Sequence, residues 1–140
     1  MKDDFPHLVY ELAPESDRFH FYETLWKQVA LDLLTKHISP PSGTLLDVGC
    51  GRGELLALAA QRGFTPTGID TDERCLKLSA AHGRAIECSS DLITERFGNL
   101  SFDVVAALHV LEHLESPRQA LLQMKRVARQ YVLIAVPNLR

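Results

Sequence analysis

Apolar and polar positions follow two alternating rhythms along the chain. Short runs of strand length occur at Thr44–Val48, Phe64–Ile69, Arg84–Cys88, Phe102–Leu108 and Gln130–Val136. Runs of this length bounded by turn residues predict buried strands. Between them the spacing becomes helical. Phe21, Leu25, Val29 and Leu33, flanked by Trp26, Ala30 and Leu34, predict an amphipathic helix over about 21–36. Glu54–Ala60 reads as a second helix, stopped by Gly63 as its C′ residue. Glu73–His82 reads as a third, with Leu76 and Ala80 facing in and Gly83 stopping it. Ala120, Leu121, Met124 and Val127 mark a last helix, opened by Ser116-Pro117 and running to about Ala128, with Met124 in the core.

The breakers agree with this division. Pro40-Pro41 place a loop before the first strand. Pro66, in the first half of the second strand, suits an edge position or a strand start. Met1–Phe19 is polar, contains Pro6 and Pro14 and has no period. The expected organisation is therefore an irregular arm over 1–20 and one core over 21–140. Strands alternate with helices five times, which predicts an α/β fold with a doubly wound, mostly parallel sheet of five strands. Right-handed crossovers then put a ligand at the carboxyl ends of the strands.

Composition narrows the classes. The chain has 140 residues, 46% of them hydrophobic and 24% charged, as in an ordinary soluble domain. A net charge of -3 gives no electrostatic reason to expect nucleic acid or a membrane surface as partner. Cys50, Cys75 and Cys88 are odd in number and scattered, which favours a reducing compartment over a disulfide framework. No apolar run approaches a membrane span and the first residues are charged. The expected location is cytoplasmic.

The chemistry concentrates at strand ends. Asp47 closes the first strand, and Gly49-x-Gly51-x-Gly53 follows it with Cys50 inside the turn. Glycines permit a tight reversal and a close ligand approach. A dinucleotide fingerprint would place its third glycine at position 54. Glu54 stands there instead, where it would repel a pyrophosphate at the helix N-terminus. Asp70 ends the second strand, at about the spacing where an acid accepts both hydroxyls of a ribose. Asp72 and Glu73 suit the dipole of the following helix. Asp103, inside an apolar strand, reads as structural. The plainer alternatives are a tight turn without ligand at the glycines and an ordinary loop acid at Asp70. Convergence of Gly49–Gly53, Asp70, Asp91 and His109 on the same strand ends argues for a site. A different class of reading comes from His109-x-x-Glu112-His113, the inverted zincin pattern, in which two histidines on one helical face bind zinc. Its third ligand is hard to supply, since Glu115 is the one carboxylate downstream.

The form from Asp47 to Gly53, with Gly68-Ile69-Asp70, Phe102–Val105, His109–Leu114 and Val136-Pro137-Asn138, resembles class I S-adenosylmethionine (SAM)-dependent methyltransferases over roughly Phe21–Asn138. Gly53–Leu58 and Arg126–Asn138 look like the type 11/12 and MetW-like groups of that class. The resemblance implies a Rossmann-like fold, SAM as cofactor, and methyl transfer to a small-molecule acceptor. By this resemblance Gly49, Cys50, Gly51 and Gly53 shape the pocket and Asp47 holds the methionine end. Asp70 takes the ribose, and Asp91 and Leu92, with Ser90 beside them, take the adenine. His109 lies near the methionine end and is the candidate base, its ordinary pKa being near neutrality. His20 and Tyr22 begin a helix that helps close the pocket in similar enzymes. The class fold has seven strands, and the last two are lacking here. Tyr131–Val136 is thus expected at an exposed sheet edge. The chain is expected to be C-terminally incomplete, with a homodimer or partner chain along that edge as the other solution. A SAM-binding or partner-binding module without transferase activity is the second functional reading.

Overall fold

A computed structural model describes residues 15–38 and 41–136, with side chains described from residue 24 onward. The elements are α1 (Glu15–Thr35), β1 (Gly43–Val48), α2 (Glu54–Gln61), β2 (Phe64–Asp70), α3 (Glu73–Ser79), β3 (Arg84–Glu87), α4 (Ile93–Phe97), β4 (Phe102–Leu108), α5 (Pro117–Val127) and β5 (Ala128–Ala135). Single 3-10 turns cover Ser90–Leu92 and Leu111–His113. The five strands form one parallel sheet in the order β3-β2-β1-β4-β5. The order reverses at β1, so the chain winds outward in both directions from the centre. That reversal opens a crevice at the carboxyl ends of β1 and β4.

Both faces of the sheet are covered. Alternate residues of β1 go to opposite sides, because the side-chain period of a strand is two. Leu45 joins Leu31, Leu34, Leu55 and Ala59 under α1 and α2. Leu46 and Val48 join Ile93, Met124 and Val127 under α4 and α5. Full burial of each such leucine or methionine contributes roughly 2 kcal/mol. The helix–strand junctions follow the local chemistry. Gly63 takes φ +103° and its N–H closes α2 onto the Ala60 carbonyl at 3.1 Å. Asp72 caps α3 by accepting the Arg74 N–H at 2.9 Å. Pro117 opens α5, although Ser116 gives no side-chain cap.

Several expectations are corrected. The first helix begins at Glu15 rather than near residue 21. Of the two positions expected for Pro66, the edge is wrong, since β2 is an internal strand, and the strand start is right, since Pro66 is among the first three residues of Phe64–Asp70. β3 pairs with β2 only from Thr67 onward, so the β3 flank of Pro66 has no partner strand to lose a hydrogen bond to. On α3 the inward residue is Ser79, fully buried, while Ala80 is exposed. β3 is shorter than expected, and the segment after it forms a 3-10 turn and α4, which the polar run did not announce. β5 is an edge, with Tyr131, Ile134 and Val136 exposed. The arm before Glu15, Pro40 and the Pro137-Asn138 motif lie outside the described residues, as do the side chains of His20 and Tyr22. No described helix is long and apolar enough to cross a membrane.

Candidate functional site

β1 leaves the sheet through a turn whose three glycines all have left-handed φ: +73° at Gly49, +54° at Gly51 and +90° at Gly53. They are needed for different reasons. A Cβ at Gly49 would lie 2.7 Å from a methyl of Val110. At Gly53 it would lie 2.8 Å from the Cα of Ser79, so α2 and α3 can approach only across a bare glycine. At Gly51 it would meet nothing within 4 Å among the described residues. Gly51 therefore presents its backbone to a side that no described residue fills.

The turn is held by the end of β2. The N–H groups of Gly49 and Cys50 both donate to the Ile69 carbonyl, at 2.8 and 2.9 Å. Gly51 donates to Asp70 Oδ2 at 3.0 Å, and Asp72 donates to Asp70 Oδ1 at 2.9 Å. Each Asp70 oxygen thus accepts one backbone N–H and keeps acceptor capacity for a further donor.

Asp47 is 4% exposed on the face covered by α1 and α2. Burial pushes its carboxyl from the ordinary 3.8 up to about 7; the Lys27 ammonium pulls it down, and Glu54 and Asp70 push it further up. Lys27 of α1 reaches Glu54 Oε2 at 3.4 Å. Sequence reading did not single out Lys27. Its signal was a lysine on the helical face of Ala30, Leu31 and Leu34, the buried face of α1.

A cleft of about 440 Å³ opens beside the turn. Gly49, Asp70 and Asp91 line it, together with Thr71, Ser89, Ser90, Val110 and the segment His113–Ser116. Six sequence candidates do not line it: Asp47, Cys50, Gly51, Gly53, Leu92 and His109. Leu92 is 48% exposed and does not line the cleft, because the 3-10 turn directs it outward. Cys50 is buried against Gly68, with Sγ 3.7 Å from the Ser79 hydroxyl, so only its backbone is available to the turn. Burial raises its thiol to about 11.

His109 leaves β4 at φ +57°, its N–H bonded to the Ala135 carbonyl at 2.8 Å. Its ring faces Trp26 of α1 at 6.3 Å, not the cleft. Nε2 is buried without a hydrogen-bond partner, and Nδ1 lies 3.8 Å from Glu112. A left-handed residue followed by one 3-10 turn removes the α-helical face that the zinc pattern requires of His109 and His113. No group of three or more potential metal ligands assembles among the described residues. The site therefore has two parts: the open cleft of Gly49, Asp70 and Asp91, and a covered part under α1 holding Asp47, Glu54 and His109.

Comparison with known proteins agrees with this geometry. The ubiquinone biosynthesis O-methyltransferase of Hahella chejuensis is 31% identical over 133 residues, 91% of this chain and 54% of that protein. The corresponding protein of Chromobacterium violaceum is 35% identical over 123 residues, 82% of this chain and 52% of the relative. This chain therefore spans about half the length of the relatives it matches. In structure it resembles magnesium protoporphyrin IX methyltransferase from Synechocystis, solved with bound SAM, at a TM-score of 0.69 and 20% identity over 90% of this chain and 65% of that one. The pattern of the family described as "Methyltransferase domain" matches residues 18–140. A sheet reversing at β1, a glycine turn tied to Asp70 and a family match over most of the sequence give one conclusion: the chain belongs to the methyltransferase domain family.

Proposed function

We propose that the chain carries the SAM-binding part of an enzyme that transfers a methyl group to a small-molecule acceptor. The observation that carries this reading is Gly51, beside whose bare Cα no described residue stands where a Cβ would be, while its N–H is fixed by Asp70. That is a cradle for a ligand whose hydroxyls can use the remaining lone pairs of Asp70. SAM, when bound, supplies an electrophilic methyl on a sulfonium whose leaving group is a neutral thioether. The residues then have mainly to bind and orient. Asp70 holds the ribose, Asp91 with Ser90 meets the adenine, and Asp47 serves the methionine end. The relatives named as O-methyltransferases support a hydroxyl as the accepting group. The free cysteines support a cytoplasmic setting.

The test is turnover of methyl-labelled SAM by the full-length protein with a panel of hydroxylated small molecules, beside calorimetric titration of SAM and NAD. Transfer of label with SAM binding supports the reading. Binding of NAD but not SAM overturns it, and SAM binding with no transfer to any acceptor leaves only the module without activity.

A further inference from the structure

Two walls of the cleft come from different strands. One is the start of the glycine turn after β1, and another is the segment His113–Ser116 after β4. Val110 joins them. His109 leaves β4 at φ +57°, and Val110 then returns to φ -117° and ψ -45°. That reversal lays the Val110 side chain across the end of β1. A Cβ on Gly49 would lie 2.7 Å from Val110 Cγ2, 3.2 Å from Cγ1 and 3.6 Å from Cβ, so both methyls of Val110 crowd the bare side of Gly49. Gly49 is fixed separately by its N–H, which donates to the Ile69 carbonyl at 2.8 Å. The Val110 carbonyl accepts the His113 N–H at 3.0 Å, which closes the 3-10 turn leading into the other wall. Val110 also packs against the core cluster that holds Leu46, Val48, Ile93 and Met124. Gly49 and Val110 themselves line the cleft.

We propose that Val110 is a positioning residue for the cofactor: its two methyls, seated on Gly49, set the separation between the glycine turn and the His113–Ser116 wall, and with it the width of the cleft. This rests on the SAM reading above and deepens it. A β-branched side chain suits the task. Two heavy atoms on Cβ restrict χ1, so the contact is stiff as well as close. A residue without that branch leaves one or both methyl positions empty, and the turn and the wall shift relative to each other. Close packing transmits such a shift, because few voids are present to absorb it. Val110 acts through Gly49 and the wall, and takes no part in bond making. Shape at Cβ, rather than hydrophobicity, therefore governs cofactor affinity at position 110.

Calorimetric titration of SAM into the full chain and its variants tests this, at a temperature where circular dichroism shows each variant folded. Val110→Thr keeps both branches on Cβ but puts a hydroxyl into an apolar contact. It should lower the thermal midpoint and yet hold SAM within about threefold of the unaltered chain. Val110→Leu keeps the apolar character and moves the branch to Cγ, and Val110→Ala removes both methyls. Each should bind SAM about tenfold more weakly. A side chain that only fills the core predicts the opposite order, with Leu tolerated better than Thr. Tighter binding by Val110→Leu than by Val110→Thr, or unchanged affinity in both Val110→Leu and Val110→Ala, would overturn the positioning role while leaving the SAM reading intact. Failure of the unaltered chain to bind SAM removes both.

Discussion

Two aspartates on neighbouring central strands face opposite fates. Asp103 lies near the start of β4. Its Oδ2 accepts the Thr44 N–H at 2.8 Å and the Thr44 hydroxyl at 3.2 Å, and its Oδ1 lies 3.1 Å from Arg129. The Thr44 N–H holds its carboxyl below the ordinary range, with the Thr44 hydroxyl and Arg129 adding to this. Asp47 lies near the other end of the sheet, on β1, buried and without such donors, and burial pushes it up to about 7. The same residue type stabilises one end of the sheet and strains the other. A carboxylate left without donors costs stability, and that cost is tolerated where a ligand can supply the missing charge.

The largest expected effect is on stability at Asp47. Its folded pKa is raised, so its contribution to stability is greatest below the unfolded value of about 4 and is lost as pH rises to about 7. Asp47→Asn should therefore stabilise the fold by about 3 kcal/mol at pH 8 and by little at pH 4. Urea denaturation at the two pH values reads this, and equal effects would contradict the origin assigned to the strain. Next comes Asp70→Ala, expected to weaken SAM about 100-fold by removing two charge-assisted bonds and loosening Gly51. Unchanged affinity by calorimetry would remove the ribose assignment. Asp103→Ala should cost about 1–2 kcal/mol of stability and leave SAM affinity unaltered. Its contribution is present at neutral pH and lost as pH falls through its depressed folded pKa, the opposite sign to Asp47. A drop in affinity would show that the two ends of the sheet are not independent. Smallest is Gly51→Ala, about 1 kcal/mol of stability, since a left-handed alanine is strained but meets no neighbour. A loss of SAM affinity beyond that of stability would place the ligand over Gly51.

Much of the fold was legible because strand and helix periods differ and the glycines sit where φ turns positive. Gly63 and Asp72 took the roles their types suggest, and Asp103 proved structural, because these depend on near neighbours in sequence or on a strand's register. The site was legible as strand ends but not as a surface. Cys50 and Leu92 were candidates by adjacency, yet one side chain turns inward and the other outward. Residue 15 rather than 21 begins α1, because the polar first turns carry no apolar period.

By itself the sequence determined the alternation of strands and helices, the glycine turn and the acids that follow it, since all are encoded over a few residues. Tertiary structure alone decided that Lys27 of α1 meets Glu54 beside Asp47, that Ser79 demands glycine at position 53, and that His109 is turned toward Trp26. These contacts join segments far apart in the chain. Whether a buried carboxylate finds a donor there depends on how helices settle on the sheet, which no local pattern records.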